Sequence, residues 1–224
     1  MISAAGYVLF YALIAAASLL ALTAVIVVVR SERPRTNGIA FLIGFVLGTT
    51  VGAALGLVLG QAAVDRLDSH ETVQGVLALL VGLALVVAGL SERRRPGRQG
   101  TGIDWDGAMV TRMRDLGPGA ALSISVLLGF GGPKRLVLAI LAMGAVSNAD
   151  LGEVESITLL VLYVAVATVL VSVPVGFVIV GGKRAVSVLD RGWSFLETNA
   201  GLLRVWVAVG LGVALIIDGL VRLI

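Results

Sequence analysis

Apolar residues in this chain come in runs of about twenty, divided by short polar connections, and do not alternate with polar positions as on a soluble helix or strand. A helix of that length is roughly 30 Å long, the thickness of a bilayer's hydrocarbon core. Six such runs predict transmembrane helices over residues 7–29, 38–60, 73–90, 117–146, 157–180 and 202–223. The connections are polar, as irregular backbone must be where lipid offers no hydrogen bonds. The longest, residues 91–116, holds no apolar run. Residues 1–224 therefore read as one transmembrane domain of the all-α integral membrane class. The first run lacks a basic leader and is followed by Arg30, which predicts an uncleaved span and no signal peptide.

Composition agrees with the pattern. Charged residues make up 14% of the chain, where a soluble domain carries about a quarter; soluble enzymes and nucleic-acid binders are excluded. The net charge of +3 resides in the connections. Arg30, Arg33 and Arg35 occupy the first; Arg93, Arg94, Arg95, Arg98, Arg112 and Arg114 the third; Lys183, Arg184 and Arg191 the fifth. The second offers only Arg66, and the fourth, with Asp150, Glu153 and Glu155, has no basic residue. The positive-inside rule then places connections one, three and five in the cytoplasm and both termini outside. The Arg93–Arg95 cluster is read first as this topology signal and second as a patch for anionic lipid headgroups. There is no cysteine, and the single His70 lies among Asp68, Ser69 and Glu71 as a solvated loop residue. No metal or other cofactor is expected.

Residues 81–90 (VGLALVVAGL) align without gaps onto residues 211–220 (LGVALIIDGL), five positions identical and four exchanged among aliphatics. Leu67-Asp68-Ser69 and Leu196-Glu197-Thr198 lead into the two spans alike. Three spans repeated as three more, residues 1–90 and 117–224, would give halves of opposite orientation, a 3+3 inverted repeat common among transporters.

The second span carries Gly44, Gly48, Gly52, Gly56 and Gly60, one every four residues, a flat stripe for close helix packing. Gly75, Gly82 and Gly89 form a second stripe. Thr49 and Thr50, beside the first, are placed to bond a neighbouring helix or line a cavity. The fourth span is interrupted by Gly129-Phe-Gly-Gly-Pro-Lys-Arg135. Proline and three glycines weaken helix there, and the flanking apolar pieces are each too short to span alone. Lys134 lies about 26 Å along a continuous helix from Gly117. A helix resuming at Pro133 would present free N–H groups and its positive dipole end to an anion, with Lys134 and Arg135 adding charge. Intramembrane cations are costly and mark functional sites. Candidate substrate-binding residues are therefore Lys134, Arg135, Gly131, Gly132, Pro133, Ser18, Thr49 and Thr50, with Lys134 ahead of Arg135 and Pro174 in the fifth span as a hinge. The alternative is that both cations snorkel outward along their stems. Asp218 reads as interfacial, and only weakly as a partner for Arg135.

Apolar-Gly-Pro-Lys in the fourth of six spans resembles the signature of the LysE-type exporter superfamily, and is most similar to its glycopeptidolipid- and sulfolipid-addressing (GAP/Sap-like) branch. The resemblance covers nearly the whole chain; the Pro-bearing fifth span and the series Leu189, Trp193, Leu196, Glu197 and Asn199 belong to it. It implies an export factor in the bacterial cytoplasmic membrane, moving a glycolipid or small amphipathic metabolite toward the envelope. Gly132 stands where relatives often have Asn, and Ser18-Leu19 where they usually place a proline. The first span is accordingly expected to run unbroken, leaving the fourth-span break without a twin.

The leading expectation is a transporter for an amphipathic, lipid-like substrate with an anionic group, partnered by membrane lipids and by either a lipid-export complex or a second copy of itself. No G-x-x-x-x-G-K-[ST] loop is present, so energy would come from an ion gradient or a partner ATPase. A LysE-like metabolite exporter and a scaffold for a separate lipid exporter are the alternatives. The scaffold reading expects Lys134→Ala to be harmless and disruption of the Gly44–Gly60 stripe to abolish activity. An enzyme is not expected, because Ser125, the nearer of Ser123 and Ser125, is about 13 Å from Lys134 along an unbroken helix.

Overall fold

The chain's computed structural model describes residues 2–29, 31–64, 75–76, 78–80, 82–87, 90, 117–130, 132–149 and 151–223. Among these every regular element is a helix: α1 (Ile2–Ala16), α2 (Leu19–Val29), α3 (Pro34–Val64), α4 (Pro118–Phe130), α5 (Gly132–Ser147) and α6 (Glu153–Leu223), with a short apolar helix, Ala78–Val87, between α3 and α4. Pro34–Leu59 and Glu153–Gly181 are long and apolar enough to cross a membrane; counting each bent pair, α1–α2 and α4–α5, as one span brings the number to four. The protein is a helical membrane protein. His70, Arg66 and the arginines from Arg93 to Arg114 lie outside the described residues.

The first span is not continuous. Its two halves meet at 60°, and a serine does what proline does elsewhere. The Ser18 Oγ accepts the N–H of Ala21 at 3.4 Å, and the Ser18 carbonyl takes the N–H of Leu22 at 3.1 Å. Ser18 is thus the N-cap that starts α2 afresh. At the far end of α2, Ser31 Oγ donates to the Val28 carbonyl and receives Asn37 Nδ2 at 2.8 Å, closing the corner before Pro34 opens α3. Gly152 and Glu155 start α6 in a similar manner, the Glu155 carboxylate accepting the Gly152 N–H at 3.2 Å.

The glycines of α3 set the direction of its neighbours. A Cβ on Gly44 would strike Leu122 and Ser125, one on Gly48 would strike Val126 and Phe130, and one on Gly56 would lie 2.8 Å from the Ala139 carbonyl oxygen. Moving along α3 therefore moves along α4 and then α5 in the same sense. One straight helix lies alongside both halves of the broken one as a splint. Gly60 belongs to α3, but its surroundings lie outside the described residues.

Helix α6 runs without interruption over 71 residues; as a straight rod it would be about 105 Å long. Yet Val221 lines one cavity with Asn148 and Ala149, which lie just before its start. The chain therefore reverses within α6, which comprises an outgoing and a returning limb. The polar connection expected there has no proline to stop helical hydrogen bonding. The returning limb packs antiparallel on the short helix. A Cβ on Gly82 would lie 2.7 Å from the Gly212 carbonyl oxygen, one on Gly212 the same distance from that of Gly82, and Gly219 meets Gly75 equally closely.

Two clusters of buried side chains fill the bundle. One joins α1, α5, the first half of the outgoing limb and Leu215; the other joins α2, Phe41 and Phe45 of α3, and Val171, Val175 and Val178. The first span changes cluster at its break.

Candidate functional site

The fourth-span break falls between Phe130 and Gly132, its halves at 57°. Gly131 lies outside the described residues. Gly132 opens α5 and Pro133 follows it, the place where a missing N–H leaves no acceptor unserved. Before the break, α4 ends on a carbonyl that no continuing helix can bond. Thr49 of α3 sits opposite, its Oγ1 donating to Phe45 O at 2.8 Å and lying 3.4 Å from Gly129 O. A Cβ on Gly129 would strike the Phe45 carbonyl, so only glycine lets the two backbones come this close. Thr50, one residue on, is half-buried and bonds back to Val46 O at 2.8 Å, within its own helix.

After the break, Arg135 is buried at 8% exposure. Its guanidinium lies over the Phe45 ring, 4.6 Å from the centroid, and donates to the Ala167 carbonyl of α6 at 3.3 Å. The ring face and the carbonyl are what a desolvated guanidinium accepts in place of water. Phe45 belongs to one core cluster and Ala167 to the other; Arg135 bridges them at the level of the break. Lys134 is only half-buried. Among the described residues neither cation has a carboxylate partner. Asp218 is elsewhere, accepting the hydroxyl proton of Tyr11.

Ala21 and Ala24, in the opening turns of α2, share the buried cluster of Phe45. The opening turns of α2 thus belong to the cluster whose Phe45 ring carries Arg135 of α5. Ser18 is placed at the first of these starts as its cap. Ser125 is fully buried, its Oγ donating to Leu122 O at 2.8 Å; Ser123 serves Gly119 O likewise at 3.0 Å. Both hydroxyls are engaged within α4. Pro174 is half-buried in the outgoing limb, and helix continues through it.

Sequence reasoning missed Phe45 and Ala167. Phe45 had a readable signal, since it adjoins Gly44 on the glycine-rich face and precedes Thr49 by one turn. Ala167 contributes only a backbone carbonyl, and no side-chain chemistry marks it.

The family described as Sap, sulfolipid-1-addressing protein, matches the chain over residues 8–221. Neither the curated proteins nor the solved structures include a match.

Proposed function

The chain belongs to the sulfolipid-1-addressing family, and on that premise we propose that it moves an anionic amphipathic lipid from the inner face of the cytoplasmic membrane toward the envelope, holding the anion at the two helix breaks. The observation that carries this is the buried Arg135 with Lys134 beside it, on the first turn of a half-helix, with no carboxylate among the described residues to neutralise them. A cation so placed is stabilised when an anion binds, and the N-termini of α2 and α5 add their dipoles in the same sense. Lys134, half-exposed, makes the ligand contact. Arg135, fixed by Phe45 and Ala167, supplies field and orientation.

The architecture in this reading is six crossings in a 3+3 inverted repeat. Three observations support it: α3 runs parallel to α4–α5, α6 doubles back, and Gly82 meets Gly212, its counterpart in the aligned segments. The orientation is that of the charge bias, with the end holding Ser3 and Asn148 outside. The glycine contacts of α3 and the proline in the outgoing limb give the halves surfaces to slide on and a hinge at Pro174.

The test is proteoliposomes carrying a fluorescent sulfated lipid, with transbilayer movement followed by quenching from one side. Lys134→Gln and Arg135→Gln should each slow movement at least about tenfold, the loss of one charge-assisted contact, while a zwitterionic lipid of the same chain length is moved equally by all three proteins. Equal rates for the sulfated lipid would sink the proposal and favour a scaffold.

A further inference from the structure

Open space is found away from the break as well. An apolar groove of about 600 Å³ runs between α1 and the returning limb of α6, walled by Gly6 and Phe10 on one side and Ala214 and Ile217 on the other. A second cavity of about 270 Å³ adjoins it, reaching Asn148 at the end of α5, and Ser3 and Tyr7 line both. The two differ in chemistry. The groove is hydrocarbon almost throughout, with Asp218 at its edge. The smaller cavity meets the carbonyl end of α5, the negative end of that helix. The Asp218 carboxylate accepts the Tyr11 hydroxyl, while Ser3, Tyr7 and Asn148 carry groups that both donate and accept, so the polar surface is mixed and the charge among its lining residues is negative.

The groove is left open by the sequence and not by accident of packing. A Cβ on Gly6, in the wall of the groove, meets nothing within 4 Å. This glycine is not required by a neighbouring backbone, in contrast to Gly44, Gly48 and Gly82. Glycine lowers helix stability, and at Gly6 what it provides is room.

We infer that this pair of cavities is a second lipid site, taking an alkyl chain in the groove and an uncharged, hydroxyl-bearing head among Tyr7, Ser3, Asn148 and Asp218. Hydroxyl groups both donate and accept, as the mixed lining requires, and the aromatic rings of Tyr7 and Phe10 suit the C–H surface of a sugar ring. An anionic head would meet Asp218 and the negative helix end, so the selectivity is opposite to that of the break. The inference rests on the lipid-handling reading above and adds a subsite at the end of the bundle holding Ser3 and Asn148, with its own head chemistry.

The experiment is photolabelling of the protein in nanodiscs with an alkyl glucoside carrying a diazirine in its chain, mapped by mass spectrometry. Label should concentrate on residues 3–10 and 210–221. An unlabelled alkyl glucoside should compete at least about tenfold better than an alkyl sulfate of equal length, the scale of hydrogen bonds to a charged acceptor. Asp218→Asn should erase most of that preference while label remains, and Gly6→Leu should remove the label. Lys134→Gln should label as wild type, which keeps this outcome separate from the fate of the break. Label spread evenly over lipid-facing positions such as Leu13 and Leu127, or equal competition by the sulfate, would overturn the inference.

Discussion

At the residue scale the glycines divide by what stands opposite them. Gly48 faces the backbone of α4, with the Phe130 nitrogen 2.7 Å from a would-be Cβ, whereas a Cβ on Gly176 meets nothing. Backbone cannot rotate aside as a side chain can. Gly48→Ala should therefore destabilise by about 1–3 kcal/mol through overpacking. Gly176→Ala should be neutral or stabilising by up to about 1 kcal/mol from helix propensity. Thermal unfolding in detergent reads both, and equal effects would mean that helix propensity, not close approach, governs these sites. The same scale shows what was legible in the candidate site. Lys134 and Arg135 stand out because cations in an apolar run have no bland explanation. Phe45 and Ala167 do not, because an aromatic ring and a backbone carbonyl are ordinary there until the fold brings Arg135 to them.

At the element scale the two breaks were unequally visible. That of the fourth span is written in glycine and proline, whose effects on a helix are local. That of the first depends on one serine oxygen reaching the Ala21 N–H, which any serine in a helix has the atoms to do and few do. The missing proline therefore misled, since a cap can restart a helix as well as a proline can. Helix α6 is the converse case: residues 181–201 read as a connection between spans, yet they are helical, and the direction reverses within α6. The cysteine-free sequence makes this reversal testable. With Ala149→Cys and Val221→Cys, a short bifunctional thiol reagent should give an intramolecular cross-link. A straight α6 would separate the two by about 100 Å and give none.

At the scale of the whole molecule, the run lengths and the charge bias carried class and proposed orientation, because both are summed over many residues and tolerate local error. Single cysteines test the orientation. Ser3→Cys and Gly152→Cys should react with a membrane-impermeant maleimide in intact cells, and Glu32→Cys only after permeabilisation. The reverse pattern would invert the protein and make any export reading an import reading.

The crossing of Gly82 with Gly212 has a consequence of a different kind. A residue that meets its own counterpart is the mark of a twofold axis, and twofold axes arise where two copies of one chain meet. Under the proposed inverted-repeat reading, this contact would lie on the axis that exchanges the two halves. That axis would exchange the break capped by Ser18 with the break that carries Lys134 and Arg135, so one half brings a hydroxyl where the other brings two cations.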